Sequence, residues 1–298
     1  STRVRSSAAS DVYKRQVRII SMDNSGNLAF AVYGYMNRGE HEGEVGVGIY
    51  YFDVERNLIQ EKAFIPSKKS YAIAADELGK MVYYNHAEEQ LYVLADGTLY
   101  QVDLKKNKQT TLAENLKEGQ YAVSDDGHLM AYQSEGDKSG GTVIQVMNLS
   151  SLETNTVEAA SGEKISPLGF VNGDFIYGKM KSEDAGKKAS GESITPMYEL
   201  EIRNSKNKKV ASYSFVDKGI YISDILIDDN MVTLNRVEKS GDIYNVTSQE
   251  FITNNEERKD TAIKTEVYTT ALMEKQMRIT FAEGAGEKLS LIHISEPT

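Results

Sequence analysis

Hydrophobic and polar residues alternate along much of this chain with a period of two. Tyr198, Leu200 and Ile202 alternate with Glu199, Glu201 and Arg203. Tyr100, Val102 and Leu104 alternate with Gln101 and Asp103, and Met277, Ile279 and Phe281 with Gln276, Arg278 and Thr280. That period sends successive side chains to opposite faces of a strand, so it predicts β-strands with an apolar face in place of helices.

Turn signals separate the strands at regular distances. The clearest unit is Tyr121–Ala160. It reads as strand, tight Asp126-Gly127 turn, strand, polar loop, strand, short turn and strand. Glycine takes positive φ without a Cβ clash, which suits it to that turn. Comparable turns are expected at Gly26, Gly79, Gly173 and Asn230, so turn positions recur every 46 to 57 residues. A four-stranded propeller blade takes about 40–50 residues. The expected fold is therefore all-β, a β-propeller fragment of about five four-stranded blades in an incomplete ring. The expected blades are 17–66, 67–118, 119–163, 164–222 and 223–288. Two local features stand out. The polar stretch Lys181–Pro196 reads as a mobile surface loop. Thr247-Ser248-Gln249-Glu250, ahead of Phe251 and Ile252, matches a capping box and predicts a short helix over Ser248–Asn254.

The two ends read as translated sequencing adapter, not as evolved protein. The DNA string GATGTGTATAAGAGACAG encodes Asp11–Gln16, and its reverse complement encodes Leu289–Ile294. Residues 1–16 and 289–298 are accordingly set apart from the fold reasoning, which also removes His293 as a site candidate. Setting them aside removes four basic residues (Arg3, Arg5, Lys14, Arg15) and two acidic ones (Asp11, Glu296), which takes the formal charge from −10 to −12. An acidic chain repels phosphate backbones, so nucleic acid is not an expected partner. The Lys206–Lys209 run reads as a polar turn. No apolar run approaches the roughly 18 residues that span a bilayer, so membrane contact is expected only through an anchor outside this sequence. The chain has no Cys, which excludes disulfides, thiolate metal sites and a cysteine nucleophile within it. Its 18 Tyr, 23 Gly and 4 Pro suit strands joined by tight turns.

An Asp-Gly turn leading into a strand that ends in an aromatic runs from Gly127 to Tyr132, and a glycine turn does the same from Gly26 to Phe30. This pattern resembles the WD40-like, TolB-type β-propeller repeat. Where that repeat closes its third strand with Trp-Met-Asp, this chain has Val146-Met147-Asn148. The segments ISPLGFVNGDFIYG (165–178) and TPMYELEI (195–202) are similar to uncharacterised exported propeller proteins of anaerobic Firmicutes. The resemblance implies a bacterial propeller protein, exported or membrane-anchored, with a papain-like C-terminal domain following in some relatives. No catalytic residue is carried over from that domain.

Candidate chemistry is sparse. His41 lies in a Gly/Glu loop, and His-Glu there fails the HExxH zinc motif because its fifth position is Val45. His86 and His128 sit near strand ends without ligand spacing. Val45-Gly46-Val47-Gly48 reads as a close-packed or bulged strand, not a phosphate loop. Asp23, Ser25 and Asn27 have the first spacings of a calcium loop. Leu28 replaces its glycine and Gly34 its final glutamate, so turn chemistry accounts for them. Asn148-Leu149-Ser150 and Asn245-Val246-Thr247 match the glycosylation sequon and read as coincidental in a bacterial protein. No catalytic, cofactor or metal residue is assigned; Gly26, Gly79, Asp126, Gly127, Gly173 and Asn230 are structural turn positions. The expected function is a non-catalytic propeller scaffold that binds a protein, peptide or glycan outside the cytoplasm. The alternative is the propeller of a larger, peptidase-like hydrolase whose catalytic domain lies elsewhere in the gene.

Overall fold

A computed structural model of the protein describes residues 16–23, 25–36, 39–68, 81–137, 140–228, 230–253, 263–269 and 275–281. The chain runs as successive antiparallel meanders, because short turns return each strand beside its predecessor. The first unit is β1 (Gln16–Met22), β2 (Leu28–Tyr35), β3 (Val45–Asp53) and β4 (Leu58–Pro66), in that spatial order. The second is β5 (Val82–Asn85), β6 (Gln90–Ala95), β7 (Thr98–Asp103) and β8 (Lys108–Ala113), again in order. The third is β9 (Tyr121–Val123), β10 (Leu129–Asp137), β11 (Gly140–Asn148) and β12 (Thr154–Glu158). The fourth is β13 (Glu163–Val171), β14 (Asp174–Lys181), β17 (Met197–Arg203) and β18 (Lys209–Tyr213). Between its middle strands lie the short β15 (Gly186–Lys188) and β16 (Ser193–Ile194). The fifth comprises β19 (Ile220–Asp228), β20 (Met231–Ser240), β21 (Ile243–Val246) and β22 (Glu250–Thr253), with β19 beginning just ahead of the expected boundary at 223. A separate hairpin, β23 (Ile263–Thr269) and β24 (Lys275–Phe281), follows. Single bridges, Gly141–Ile165 and Met197–Ile222, join units three, four and five into one hydrogen-bonded sheet.

Packing follows from the period of two. In β10, Leu129 and Ala131 join the cluster with Phe175 and Tyr177 of unit four, whereas Met130 and Tyr132 join the cluster with Tyr84 and Leu91 of unit two. In β14, Phe175 and Tyr177 face unit three, and Ile176 packs with Leu234 of unit five. Each of these sheets is thus covered on both faces by its sequence neighbours, which explains the continuous apolar runs Leu129–Tyr132 and Phe175–Tyr177. First strands lie beside first strands: β1 by β5, β9 by β13, and β13 by β19. The fourth strands β4, β8, β12 and β18 are largely exposed. Inner first strand, outer fourth strand and face-to-face stacking of four-stranded meanders are the features of propeller blades. The fold is all-β, an incomplete β-propeller; among the described residues no ladder joins the first unit to the fifth. The described helical segments are single 3-10 turns at Ser182–Asp184 and Val216–Lys218, and among the described residues no helix is long and apolar enough to cross a bilayer.

The turn positions fall between paired strands. Gly127 has φ of +75°. Asn172 and Gly173, at +51° and +85°, form the two-residue loop that closes the Val171–Asp174 pair, the backbone a type I′ hairpin requires. Gly26 turns between β1 and β2, and Asn230 adjoins the Asp228–Met231 pair between β19 and β20. Gly79 lies outside the described residues, as do residues 1–15 and 289–298; Gln16 is the first residue of β1, opposite Tyr33.

Two local expectations are corrected. The segment expected as a helix over Ser248–Asn254 is, through Thr253, the strand β22 and its approach; Asn254 lies outside the described residues. Pairing to β20, with Leu234 opposite Glu250 and Val232 opposite Ile252, overrides the local capping signal. Arg236 reinforces the choice: its Nε donates to the Ser248 carbonyl at 2.8 Å and its Nη2 to the Ser248 hydroxyl at 2.9 Å, tying the approach of β22 to β20.

The stretch Lys181–Pro196 is a docked tongue, not a mobile loop. Buried Asp184 accepts hydrogen bonds from the Tyr221 hydroxyl at 3.1 Å and Lys239 Nζ at 3.4 Å. The Tyr244 hydroxyl donates to the Asp184 carbonyl at 2.7 Å. Beyond this anchor β15 pairs in parallel with β21, Lys187 opposite Ile243, and β16 folds back on β15. Gly, Ser and Lys composition concealed a carboxylate whose burial demands partners.

Candidate functional site

The most developed polar site lies where units three and four meet. Tyr177 sits opposite Glu201, and Lys179 opposite Glu199, across the β14–β17 ladder. Directly opposed residues share a sheet face, and this face looks toward unit three. Glu201 is only 2% exposed. Lys179 Nζ reaches Glu201 Oε2 at 2.6 Å and Glu199 Oε1 at 3.1 Å, and Arg203 Nε donates to Glu201 Oε1 at 2.8 Å. Lys209 closes the outer side, 3.5 Å from Glu199. Burial pushes the Glu201 carboxyl up, but hydrogen bonds from Lys179, Tyr177 and Arg203 outweigh it and bring the pKa down to about 2. Burial, with the bond to Glu201, pushes the Tyr177 hydroxyl up to about 12. These groups are fixed charges and fixed donors near neutrality, not proton carriers.

Arg203 carries the network to the rim. Its Nη1 donates to the Asn207 carbonyl and to Asn207 Oδ1, both at 3.3 Å. Two turns form the walls of a cleft there. In one, Asn204 Oδ1 accepts the backbone N–H groups of Lys206 and Lys208 at 3.0 and 3.1 Å. In the other, Asn148 Oδ1 accepts those of Ser150 and Ser151, both at 3.0 Å, and the Ser151 hydroxyl donates to Glu153 Oε2 at 3.1 Å. The walls are tied together by Asn155 Nδ2 to the Ser205 carbonyl, 3.1 Å, and Asn207 Nδ2 to the Thr156 carbonyl, 3.2 Å. Such side-chain-to-backbone bonds are why Asn recurs in these turns.

Buried Leu129, Met147, Phe170 and Phe175 line the cleft together with Gly173, and its volume is about 40 Å³. Three amides are each held by one end only. Among the described residues, nothing else engages Asn148 Nδ2, Asn204 Nδ2 or Asn155 Oδ1. The cleft thus gathers three amides with one end unengaged, the Arg203 guanidinium and the Glu153 carboxylate around an apolar base.

The other sequence candidates do not converge on it. His41 stacks on Phe64 with ring centroids 3.8 Å apart and contacts Glu61 at 2.8 Å. His86 stacks on Tyr51 at 3.8 Å between units one and two. His128 pairs with Asp126 at 2.6 Å, which helps hold that carboxyl down to about 2 against the opposing effect of burial. Among the described residues no three His, Asp or Glu side chains gather as a metal site. Asp23 spends both oxygens on its own turn, accepting the Ser25 and Asn27 N–H groups and the Asn27 amide. Gly46 and Gly48 sit in β3 against Phe64 and Tyr50. Asn148, noted for its sequon and as the end of the repeat's third strand, proves to be a wall of the cleft, while Asn245 lies in β21. Sequence reasoning missed Glu201 and Asn204. The signal available was the charged series Glu199, Glu201, Arg203 beside Lys179, which the alternation presents as a solvated face.

Fold and cleft define a propeller-type repeat protein with a polar pocket between two blades, a class resting on the strand topology above. No family model and no curated protein matches the chain. Among solved structures it is similar to hydrazine synthase of Kuenenia stuttgartiensis, at 10% identity and a TM-score of 0.33, over 75% of this chain and 56% of that one. The chain thus spans little more than half the length of that protein. It is also similar to the β-propeller domain of the trilobed protease from Pyrococcus furiosus, described as having an open velcro topology. There the identity is 10% and the TM-score 0.37, over 91% of this chain and 96% of that one. A chain of the mitotic checkpoint complex matches at 14% identity and a TM-score of 0.31, over 90% and 93%.

Proposed function

We propose that this protein is a non-catalytic propeller scaffold of a bacterium. It works outside the cytoplasm and binds a protein, peptide or glycan partner at the rim cleft between units three and four. The observation that carries the reading is the set of half-held amides around the apolar floor. Their orientation is fixed before any ligand arrives, so little ordering entropy opposes binding. The neighbouring charged groups support binding over catalysis, since Glu201 and Tyr177 titrate far from neutrality. The extracytoplasmic setting rests on the resemblance of Ile165–Gly178 and Thr195–Ile202 to exported propeller proteins.

The test is affinity capture from the envelope fraction of the source organism, run in parallel with Ser205→Tyr. The Ser205 side chain is exposed at the cleft and only its carbonyl is used, so a tyrosine blocks the opening without breaking the turn. The expected result is a component retained by the wild type and lost with Ser205→Tyr. Equal retention by both proteins, or none by either, refutes the assignment.

A further inference from the structure

We propose that the hairpin of β23 and β24 docks on the outward face of unit five, where it begins a sixth blade. Three observations carry it. The first is an apolar face left open. Units one to four each bury the face they turn to the next unit in the chain. Unit five packs Ile225, Ile227 and Leu234 against unit four. Alternation sends their neighbours to the opposite face. There Leu226 of β19 lies opposite Thr233 of β20, and Thr233 opposite Phe251 of β22, a row across three strands. Leu226 is 63% exposed and Phe251 55%, and Met231 beside them 37%. In a stack of repeats, large apolar side chains on a terminal face are a surface for the next repeat.

The second is the pattern of the hairpin. Its register sets Ile263 opposite Phe281, Thr265 opposite Ile279 and Val267 opposite Met277. These pairs alternate with Lys264–Thr280, Glu266–Arg278 and Tyr268–Gln276, so one face of the hairpin is apolar and the other polar. A two-stranded hairpin alone is marginally stable at best in water and needs its apolar face packed on another element. β23 and β24 form a sheet of their own, as the strands of units one and two do, which fits stacking on a face and not pairing to an edge. Charge agrees: Lys275, opposite Thr269, closes the apolar row, and exposed Asp224 and Asp228 flank Leu226 on β19.

The third is the join. Nine residues, 254–262, separate β22 from β23, against seven, four and six between β8 and β9, β12 and β13, and β18 and β19. Nine residues span at most about 30 Å. A tether that short gives an effective concentration on the order of 1 mM, so at micromolar protein the chain's own hairpin outcompetes a second copy.

The experiment is cross-linking of the full chain. It has no Cys, so an introduced pair carries all the thiol chemistry. Phe251→Cys with Met277→Cys is treated with a short bismaleimide beside Phe251→Cys with Arg278→Cys, which moves the second thiol to the polar face of the hairpin. Leu226→Cys replaces Phe251→Cys in a parallel set. At about 10 μM protein the Met277 pairs are expected to close within one molecule about a hundredfold ahead of cross-linked dimer, and the Arg278 pairs far more slowly. Equal rates for the Met277 and Arg278 pairs show a hairpin that is tethered but not docked, and overturn the inference. Dimer as the main product assigns the face to a second copy and overturns it as well. No closure in either set overturns it too.

Discussion

Glu201→Gln is the sharpest probe of the interface between units three and four. Glutamine preserves the shape but removes the charge that Lys179 and Arg203 approach at 2.6 and 2.8 Å. The carboxyl falls from an ordinary 4.5 to about 2, and each pKa unit corresponds to about 1.4 kcal/mol, so pairing contributes roughly 3 kcal/mol at neutral pH. That figure agrees with the ~3–5 kcal/mol cost of breaking a buried pair by removing one partner. Glu199, 3.1 Å from Lys179, keeps one cation partly compensated and places the expected loss at the lower end. Because the folded pKa is depressed, the contribution is fully present above about 4.5 and fades as pH falls toward 2. Urea denaturation of both proteins at pH 7 and pH 3 measures it. The expected gap is ~3 kcal/mol at pH 7, or roughly 6–12 °C in melting temperature, and clearly smaller at pH 3. A gap under ~1 kcal/mol at pH 7, or one of equal size at both pH values, would refute the reasoning.

Two further outcomes are expected. Asp184→Ala removes the acceptor for Tyr221 and Lys239, costs about 1–3 kcal/mol, and opens the tongue around Gly191 to limited proteolysis; unchanged resistance to protease would show that the strand pairing of β15 suffices. The hydrogen bond to Glu61 holds His41 above its ordinary 6.5 against partial desolvation, so the pairing supports the fold fully below that value and is lost as pH rises through the raised one. Glu61→Gln is expected to lower the ring's titration midpoint by NMR, and an unmoved midpoint would show that the stacking on Phe64 governs it.

Legibility in the sequence tracked how local the cause was. The unit Tyr121–Ala160 shows all of its strands, because alternation and an Asp-Gly turn are carried by neighbours in the chain. The Asn172-Gly173 hairpin shows for the same reason. The helix expected at Ser248 failed because its rival, the free edge of β20, lies well back in the chain and pairs by main-chain bonds that no capping motif reports. The tongue failed because Asp184 meets Tyr221, Lys239 and Tyr244 only after folding. The cleft was hardest to see. Asn148, Asn155 and Asn204 each look like ordinary polar residues at strand ends and turns, and only the meeting of two blades brings them to the lining of one cleft.

The tongue has a mechanical consequence. Stacked repeats ordinarily exchange stability only across the faces they share, so a unit can loosen while units further along remain folded. Units four and five are coupled twice, once through the cluster around Leu200 and Leu234 and again through the Asp184 anchor at the rim. A second tether away from the first resists twisting as well as separation. These two blades should therefore open to solvent as a single body, with their amide hydrogens exchanging at a common rate, and strain applied to either should be felt as torque on the other.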